Sequence, residues 1–372
     1  MKTKNYQEYF NKMIQITAQS NGLVCLSSSE TDALYEEMLE CLPNNGKLYK
    51  YRSFSSFENS YNSLDKGYIW LADANRMNDK LDLTLNIDLS HEETRLREFF
   101  IDKREGGFIK LLKSKFKKIS KLKHLTNEQI NEILNCYDDK GTLTEFNKAC
   151  SLFQDYGFNQ SQKDKCLYAI NRFLTNHQSH YQKEINKYIQ HIIDRTYQIT
   201  KKEIKLFCLS KSPKIESMWA YYGGESKGFC IEYDFKKGLR ASTEIKKTLL
   251  SLFQVQYKKT KPPFCILDAI KDFVINEETD IAKNVKYNEK IYEQLLTKDS
   301  SWKQECEWRI LGKPLKNELF IDLVSAIYVD KEEMETEEGQ RLPQLAKDKG
   351  WKIIVRELSY TKSNFIYKNY IS

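Results

Sequence analysis

Three short groups of residues, far apart in the chain, are of the types that do chemistry. Tyr51-Arg52 closes the alternating stretch KLYKYR, Ser210-x-Ser212 follows the apolar run Leu206–Leu209, and Glu305-x-Glu307 lies within WKQECEWRIL, Trp302–Leu311. An arginine grips a phosphate through paired N–H donors. Two carboxylates on alternate positions of one strand face stand about 7 Å apart, close enough to couple their titrations. Carboxylates so placed stabilise the positive charge that develops at a sugar carbon when a glycosidic bond breaks. Lys303 and Arg309, on the same side of that alternation, favour both glutamates staying ionised. The same four residues also read as a solvated strand face carrying cross-strand charge pairs.

Other catalytic templates are missing. The chain has no G-x-x-x-x-G-K-[ST] loop, no G-x-G-x-x-G and no H-E-x-x-H. Its five histidines all fall between His91 and His191, which leaves the stretch around Ser210 without an imidazole base. Nine cysteines with no C-x-x-C spacing argue for a reducing compartment and against a structural zinc site, so no metal ligand set is assigned. The net charge of +7 is compatible with a polyanionic partner, although abundant Lys, Asn and Ile give the same excess in proteins of AT-rich genomes. No apolar run approaches the ~20 residues of a membrane span, and MKTKNYQEYF lacks the apolar core of a signal peptide. The expectation is a cytoplasmic protein without a membrane partner; the oligomeric state stays open.

The elements that must position these groups follow from periodicity. Residues 1–46 read as N-terminal amphipathic helices, with Ser29 capping the second. Lys47–Arg52 reads as a strand with Leu48, Lys50 and Arg52 on one face and Tyr49 and Tyr51 on the other. A helix near 54–64, a strand at Tyr68–Ala72 and a polar loop over Asp73–Asp82 come next. Residues 83–201 are Lys- and Glu-rich and poor in Gly. They carry helix starts at Thr126-x-x-Gln129 and Thr142-x-x-Glu145, a long helix through Gln162–Tyr197, and a basic amphipathic stretch, Lys110–Lys123. Strands at Leu206–Leu209 and Phe229–Phe235 flank a helix over Ile215–Tyr222, in which Trp219 belongs to the core. Further strands are expected at Leu252–Tyr257, Trp302–Leu311, Val324–Val329 and Lys352–Glu357, with a helical region from Pro263 to about Thr297. Residues 47–82 and 202–372 therefore make one α/β (α+β) domain with a mixed, twisted sheet, interrupted by a helical insertion at 83–201.

The order Arg, Ser-x-Ser, Glu-x-Glu resembles the arginine–serine–glutamate signature of ADP-ribosyltransferases. The resemblance implies NAD as a substrate and a macromolecular acceptor, protein or nucleic acid. Under it, Arg52 contacts the NAD phosphate or ribose, Ser210 holds Glu307, Glu307 binds the nicotinamide-ribose hydroxyls, and Glu305 activates the acceptor. Tyr51, Ser212, Tyr221 and Tyr222 complete the NAD-binding set, either of the last two stacking on nicotinamide. A second resemblance rests on YKYRS, MNDKLD, CLSKSP, MWAYYGGESKGFCIEYDF, VQY and WKQECEWRI. Together they are similar to the bacterial domain of unknown function 2971, over Leu48–Asp82 and Phe207–Leu311. Members occur near phage-defence and mobile-element genes, which implies a toxic effector. The chain departs from that pattern at Lys80, where proline is usual, and at Tyr221 and Ser226, where histidines are usual.

Two other function classes fit the same residues. Asp79, Asp82, Glu305 and Glu307 suit a Mg²⁺-dependent nuclease, since hard cations take carboxylate oxygens. A non-catalytic module that senses a nucleotide or a phage protein would use the aromatic cleft alone.

Overall fold

The computed structural model describes residues 6–19, 22–74, 82–101, 125–138, 142–268, 271, 285–312, 316–359, 361 and 364–370. The chain forms two compact units, one of Met1–Thr84, Tyr197–Pro262 and Ile291–Ser372, the other of Leu85–Thr196 and Pro263–Lys290.

In the first unit the alternating stretches become β1 (Lys47–Ser53), β2 (Tyr68–Trp70), β3 (Ala72–Asp73), β4 (Lys205–Ser210), β5 (Gly228–Asp234), β6 (Leu252–Gln254), β7 (Gln256–Lys258), β8 (Thr297–Asp299), β9 (Glu307–Gly312), β10 (Glu318–Phe320), β11 (Val324–Asp330), β12 (Lys352–Ser359) and β13 (Asn364–Asn369). Among the described residues, nine of them form one mixed sheet in the order β13-β12-β11-β5-β1-β4-β9-β6, with β3 beside β4. Within that sheet only β11 and β12 run parallel, and the helix Glu337–Lys349 supplies the crossover that a parallel pair requires.

Against this sheet lie the helices Tyr6–Ala18 and Ser28–Cys41, tied down by Tyr35, whose hydroxyl donates to the Phe235 carbonyl at 2.8 Å. The cap of the second helix is Ser27, not Ser29. Ser27 has the extended backbone a cap needs, and Glu30 stands three residues on to complete a capping box. The helix Glu216–Tyr222 buries Trp219 completely, against a cluster that includes Tyr51, Cys230, Ala326 and Tyr328. Its indole donates to the Pro213 carbonyl at 2.9 Å and meets the edge of the Tyr51 ring at 5.3 Å.

Two expected strands break. Leu252–Tyr257 divides at Val255, whose N–H turns to the Glu307 carbonyl at 2.9 Å. Trp302–Leu311 is not one strand. Ser300–Glu305 is a helical turn started by Asp299, whose carboxylate accepts from Ser301 N at 2.8 Å. Cys306 then adopts a left-handed backbone with φ of 46°, and β9 begins only at Glu307. Strong local capping overrides the alternation there, so Glu305 and Glu307 are not neighbours on one strand face. The strand β13 was not legible from the pattern of its residues.

The second unit is helical: Leu89–Ile101, Asn127–Leu134, Phe146–Asp155 and most of Gln160–Tyr197. Thr126 and Gln129 form the expected capping box. Thr142 does not cap a helix. Its N–H goes to Asp138 at 2.7 Å, and the next helix begins at Phe146 without a side-chain cap. Residues from Pro263 onward join this unit through Phe264 N to the Asn86 carbonyl at 2.7 Å and Leu267 N to Glu92 at 2.9 Å. The basic stretch Lys110–Lys123 lies outside the described residues. Among the described residues no helix is long and apolar enough to cross a membrane.

Candidate functional site

Strand β5 pairs with β1 from Lys47 to Ser53, and β9 pairs with β4 from Lys205 to Gly312's partner end at Ser210–Glu307. Between β1 and β4, by contrast, the register holds the single pair Tyr49–Ser210. The two strands then part, and a cavity of about 240 Å³ opens between them. Lys50, Tyr51 and Arg52 line it from β1, and Cys208 and Ser210 from β4. Met218 and Tyr222 reach it from the helix, and Trp70, Asp82, Lys298, Glu305 and Glu307 also line it. Directly opposed residues in an antiparallel pair share a sheet face. Tyr49, Ser210 and Glu307 therefore lie on one face, and Arg52, an odd step from Tyr49, lies on the other. Both faces reach one cavity only because the sheet is split.

The acidic side of the cavity is a buried ion-pair network. Arg309 holds Glu307 with Nε at 2.8 Å and Nη2 at 3.0 Å, and Asp82 with Nη2 at 2.5 Å and Nη1 at 3.1 Å. The Lys298 ammonium lies 2.6 Å from Glu305, 3.3 Å from Glu307 and 3.8 Å from Asp82. The Tyr222 hydroxyl donates to Glu305 at 2.8 Å. Charges removed from water survive only when paired and hydrogen-bonded, as these are.

The network sets the two glutamates apart. Burial pushes Glu307 up, but the Arg309 guanidinium and Lys298 outweigh it and hold its carboxyl down at about 2. Burial also pushes Glu305 up, and Lys298 and Tyr222 do not offset it, so its pKa stays above the ordinary carboxyl value. One carboxylate is thus fixed in its charged form while its neighbour is poised to exchange a proton, the pattern that separates roles in acid–base sites.

The other side of the cavity is basic. Lys50 donates to the Cys208 carbonyl at 2.8 Å and lies 4.5 Å above the Phe207 ring. Burial and the nearby Arg52 charge bring its pKa down to about 7, with Cys208 and Glu307 acting weakly the other way. Burial lowers Arg52 as well. Gly228 makes this arrangement of β1 possible, since a Cβ there would stand 2.1 Å from the Arg52 carbonyl.

Of the residues singled out from sequence, Arg52, Ser210, Glu305, Glu307, Tyr51 and Tyr222 all line this cavity. Ser210 does not hold Glu307. Its hydroxyl donates to the Glu305 carbonyl at 2.7 Å, steadying the turn that presents Glu305, while Arg309 takes the carboxylate of Glu307. Ser212 lies outside the cavity wall; its Oγ accepts from Lys214 N at 3.1 Å and its carbonyl from the Tyr51 hydroxyl at 2.7 Å. Tyr221 is 65% exposed and stands edge-on to Trp302 at 6.2 Å, outside the wall as well. Lys303 was expected to neutralise the glutamates, yet Lys298 does so. The signal for Lys298 was a lysine two residues past the apolar helix end Leu295-Leu296, where a solvated charge is out of place.

Asp82, Glu305 and Glu307 are neutralised by Lys298 and Arg309, and among the described residues no group of His, Cys, Asp or Glu is arranged to hold a metal ion. Asp79, the fourth carboxylate of the nuclease reading, lies outside the described residues.

No curated protein and no solved structure matches the chain. A protein-family model described as Protein of unknown function (DUF2971) matches residues 218–310. That span runs from Met218 to Ile310 and includes Tyr222, Lys298, Glu305 and Glu307 of the cavity wall. Over the residues that frame the acidic side of the cavity, the chain is similar to this family of unknown function.

Proposed function

We propose that the chain is an ADP-ribosyltransferase-like enzyme that cleaves NAD at its nicotinamide glycosidic bond and passes the ADP-ribosyl group to a macromolecule. The observation that carries this reading is the pairing, within one cavity, of two cations that among the described residues have no carboxylate partner with one carboxylate held low and one raised. NAD has the same polarity, an anionic diphosphate and a cationic nicotinamide ring. A cavity of about 240 Å³ falls just below the ~300–1,000 Å³ typical of ligand sites, so it takes the ribosyl end and leaves the adenosine outside.

In this mechanism Arg52 holds the diphosphate. The bond between ribose C1′ and the pyridinium nitrogen breaks, its electron pair neutralises the ring, and Glu307 stabilises the positive charge left on the sugar. The acceptor's lone pair then bonds to C1′ while Glu305 takes the acceptor's proton, a task that a carboxyl raised above its ordinary value performs better than an ordinary one. Aimed at an essential macromolecule in a bacterial cytoplasm, such transfer would act as a toxic effector, the role implied by a phage-defence setting.

The test uses the full chain, NAD labelled in its adenylate phosphate, and cell lysate. Labelled protein or nucleic acid with release of nicotinamide is expected, and Glu305→Gln abolishes the label at unchanged melting temperature. Equal labelling by that variant, or no consumption of NAD, overturns the reading. A second reading, a nucleotide sensor, draws on Glu307 having both carboxylate oxygens engaged by Arg309 and Lys298. Stabilisation of the fold by NAD without nicotinamide release selects it.

A further inference from the structure

The resemblance implies that Arg52 contacts phosphate; Lys50 has no role implied by sequence or by resemblance. Its placement is unusual. It stands two positions from Arg52 on the same face of β1, with side chains about 7 Å apart along the strand. Neither cation has a carboxylate within ion-pairing distance among the described residues, and the carboxylates that line the same cavity, Glu305, Glu307 and Asp82, are held by Lys298 and Arg309. Two like charges side by side on one strand face raise each other's energy and lower the stability of the fold. An arrangement of this kind is relieved by an anion.

The donor count points the same way. The Lys50 ammonium spends one N–H on the Cys208 carbonyl, which leaves it two donors, and it lines the same cavity as the five-donor Arg52 guanidinium. A phosphate offers acceptors to both, and a diphosphate bridges the spacing between them.

We propose that Lys50 and Arg52 form a proton-linked phosphate site, in which Lys50 takes up a proton as the anion binds. The step balances simply: the neutral amine gains one proton from solvent, and the ammonium so formed bonds a phosphate oxygen. The groups that set the protonation of Lys50 are Arg52 on its own strand, which opposes the charged form, and Cys208 on β4 and Glu307 on β9, which favour it. Tyr233 on β5 faces Arg52 on the side away from the cavity acids. An arriving dianion adds a far larger favourable charge at close range, so the amine that is part neutral near pH 7 becomes fully charged. The inference rests on the reading of the cavity as a nucleotide site, and it names the proton linkage of the phosphate contact.

Inorganic diphosphate is the probe, titrated calorimetrically into the full chain at pH 8 in two buffers of different ionisation enthalpy. The unaltered protein is expected to take up close to one proton more per diphosphate than Lys50→Arg, whose charge is permanent; the difference removes the probe's own protonation. Lys50→Arg retains binding, Lys50→Met weakens it about tenfold or more, and the unaltered protein binds progressively more weakly as the pH rises from 7 to 9. Equal proton uptake by the unaltered protein and Lys50→Arg, or affinity indifferent to Lys50→Met, overturns the proposal. Diphosphate that binds in this way while NAD goes unconsumed leaves the site standing and removes the transferase reading. NAD turnover with no diphosphate binding does the reverse.

Discussion

Tyr49 stands opposite Ser210, and this one pair joins β1 to β4. Every other neighbouring strand pair in the central part of the sheet is held over several residues. Full pairing of β1 with β4 would fill the gap with backbone hydrogen bonds and leave no cavity. Parting after Tyr49 frees the strand edges and lets Lys50 reach the Cys208 carbonyl from one side while Glu307 faces the space from the other. The position of the cavity is thus a consequence of sheet pairing rather than of any loop.

Lys298 lies within ion-pairing distance of three buried carboxylates. Lys298→Met leaves them short of a cation in a desolvated site and should cost about 3–5 kcal/mol, the penalty for breaking a buried pair. Urea denaturation measures it. Combining it with Glu305→Gln should recover part of the loss, since the two groups interact directly. A simple sum of the two single losses would show that Lys298 and Glu305 act independently.

The pH dependence of stability should carry the signature of the two glutamates. The Glu307 carboxyl is lowered from 4.5 to about 2. Its contribution is fully present above about pH 4.5 and is lost as the pH falls through about 2. Glu305 is raised, so its contribution is present below its ordinary value and is lost as the pH rises through the raised one. Between pH 5 and pH 2 the urea midpoint of the unaltered protein should therefore fall more steeply than that of Glu307→Gln. Identical slopes would mean that Glu307 is not held down by Arg309.

Trp219 is fully buried, donates to the Pro213 carbonyl, and lies under the Arg356 guanidinium at 4.6 Å. Trp219→Ala should destabilise the first unit by roughly 3–5 kcal/mol, seen as a large fall in melting temperature by circular dichroism. An unchanged melting temperature with altered ligand binding would instead place Trp219 in the site.

Glycines at two places allow a graded comparison. At Gly228 a Cβ would meet the Arg52 carbonyl at 2.1 Å, whereas at Gly67, with φ of 69°, nothing lies within 4 Å. Gly67→Ala carries only the left-handed backbone cost of about 1 kcal/mol. Gly228→Ala must push β5 away from β1 and should be several times more costly, with diphosphate binding reduced because Arg52 moves. Similar thermal shifts for the two variants would show that β1 and β5 yield easily.

Much of the sheet was legible without the structure. Residues such as Leu48 to Arg52 or Phe229 to Tyr233 alternate in type with period two, the local pattern of an extended strand, although β5 turns out buried on both faces. The helix ahead of Gly223-Gly224 was legible for the same reason: its punctuation is carried by the residues themselves. The chemistry-bearing types Arg52, Ser210, Glu305 and Glu307 could likewise be named, because they sit at the ends of such segments.

Tertiary structure decided the rest. Whether Ser210 bonds the Glu307 carboxylate or the Glu305 carbonyl depends on the turn at Ser300–Glu305 and the left-handed Cys306, where capping by Asp299 prevails over alternation. Which cation neutralises the glutamates depends on β8 folding back beside β7 and bringing Lys298 into the network in place of Lys303. The affiliation of Pro263–Lys290 with the second unit rests on contacts to residues such as Asn86 and Glu92, nearly two hundred positions away. Period and capping act over a few residues, so they leave their mark on the sequence. Ion pairing and strand neighbours act across the whole fold, and no local pattern of residues encodes them.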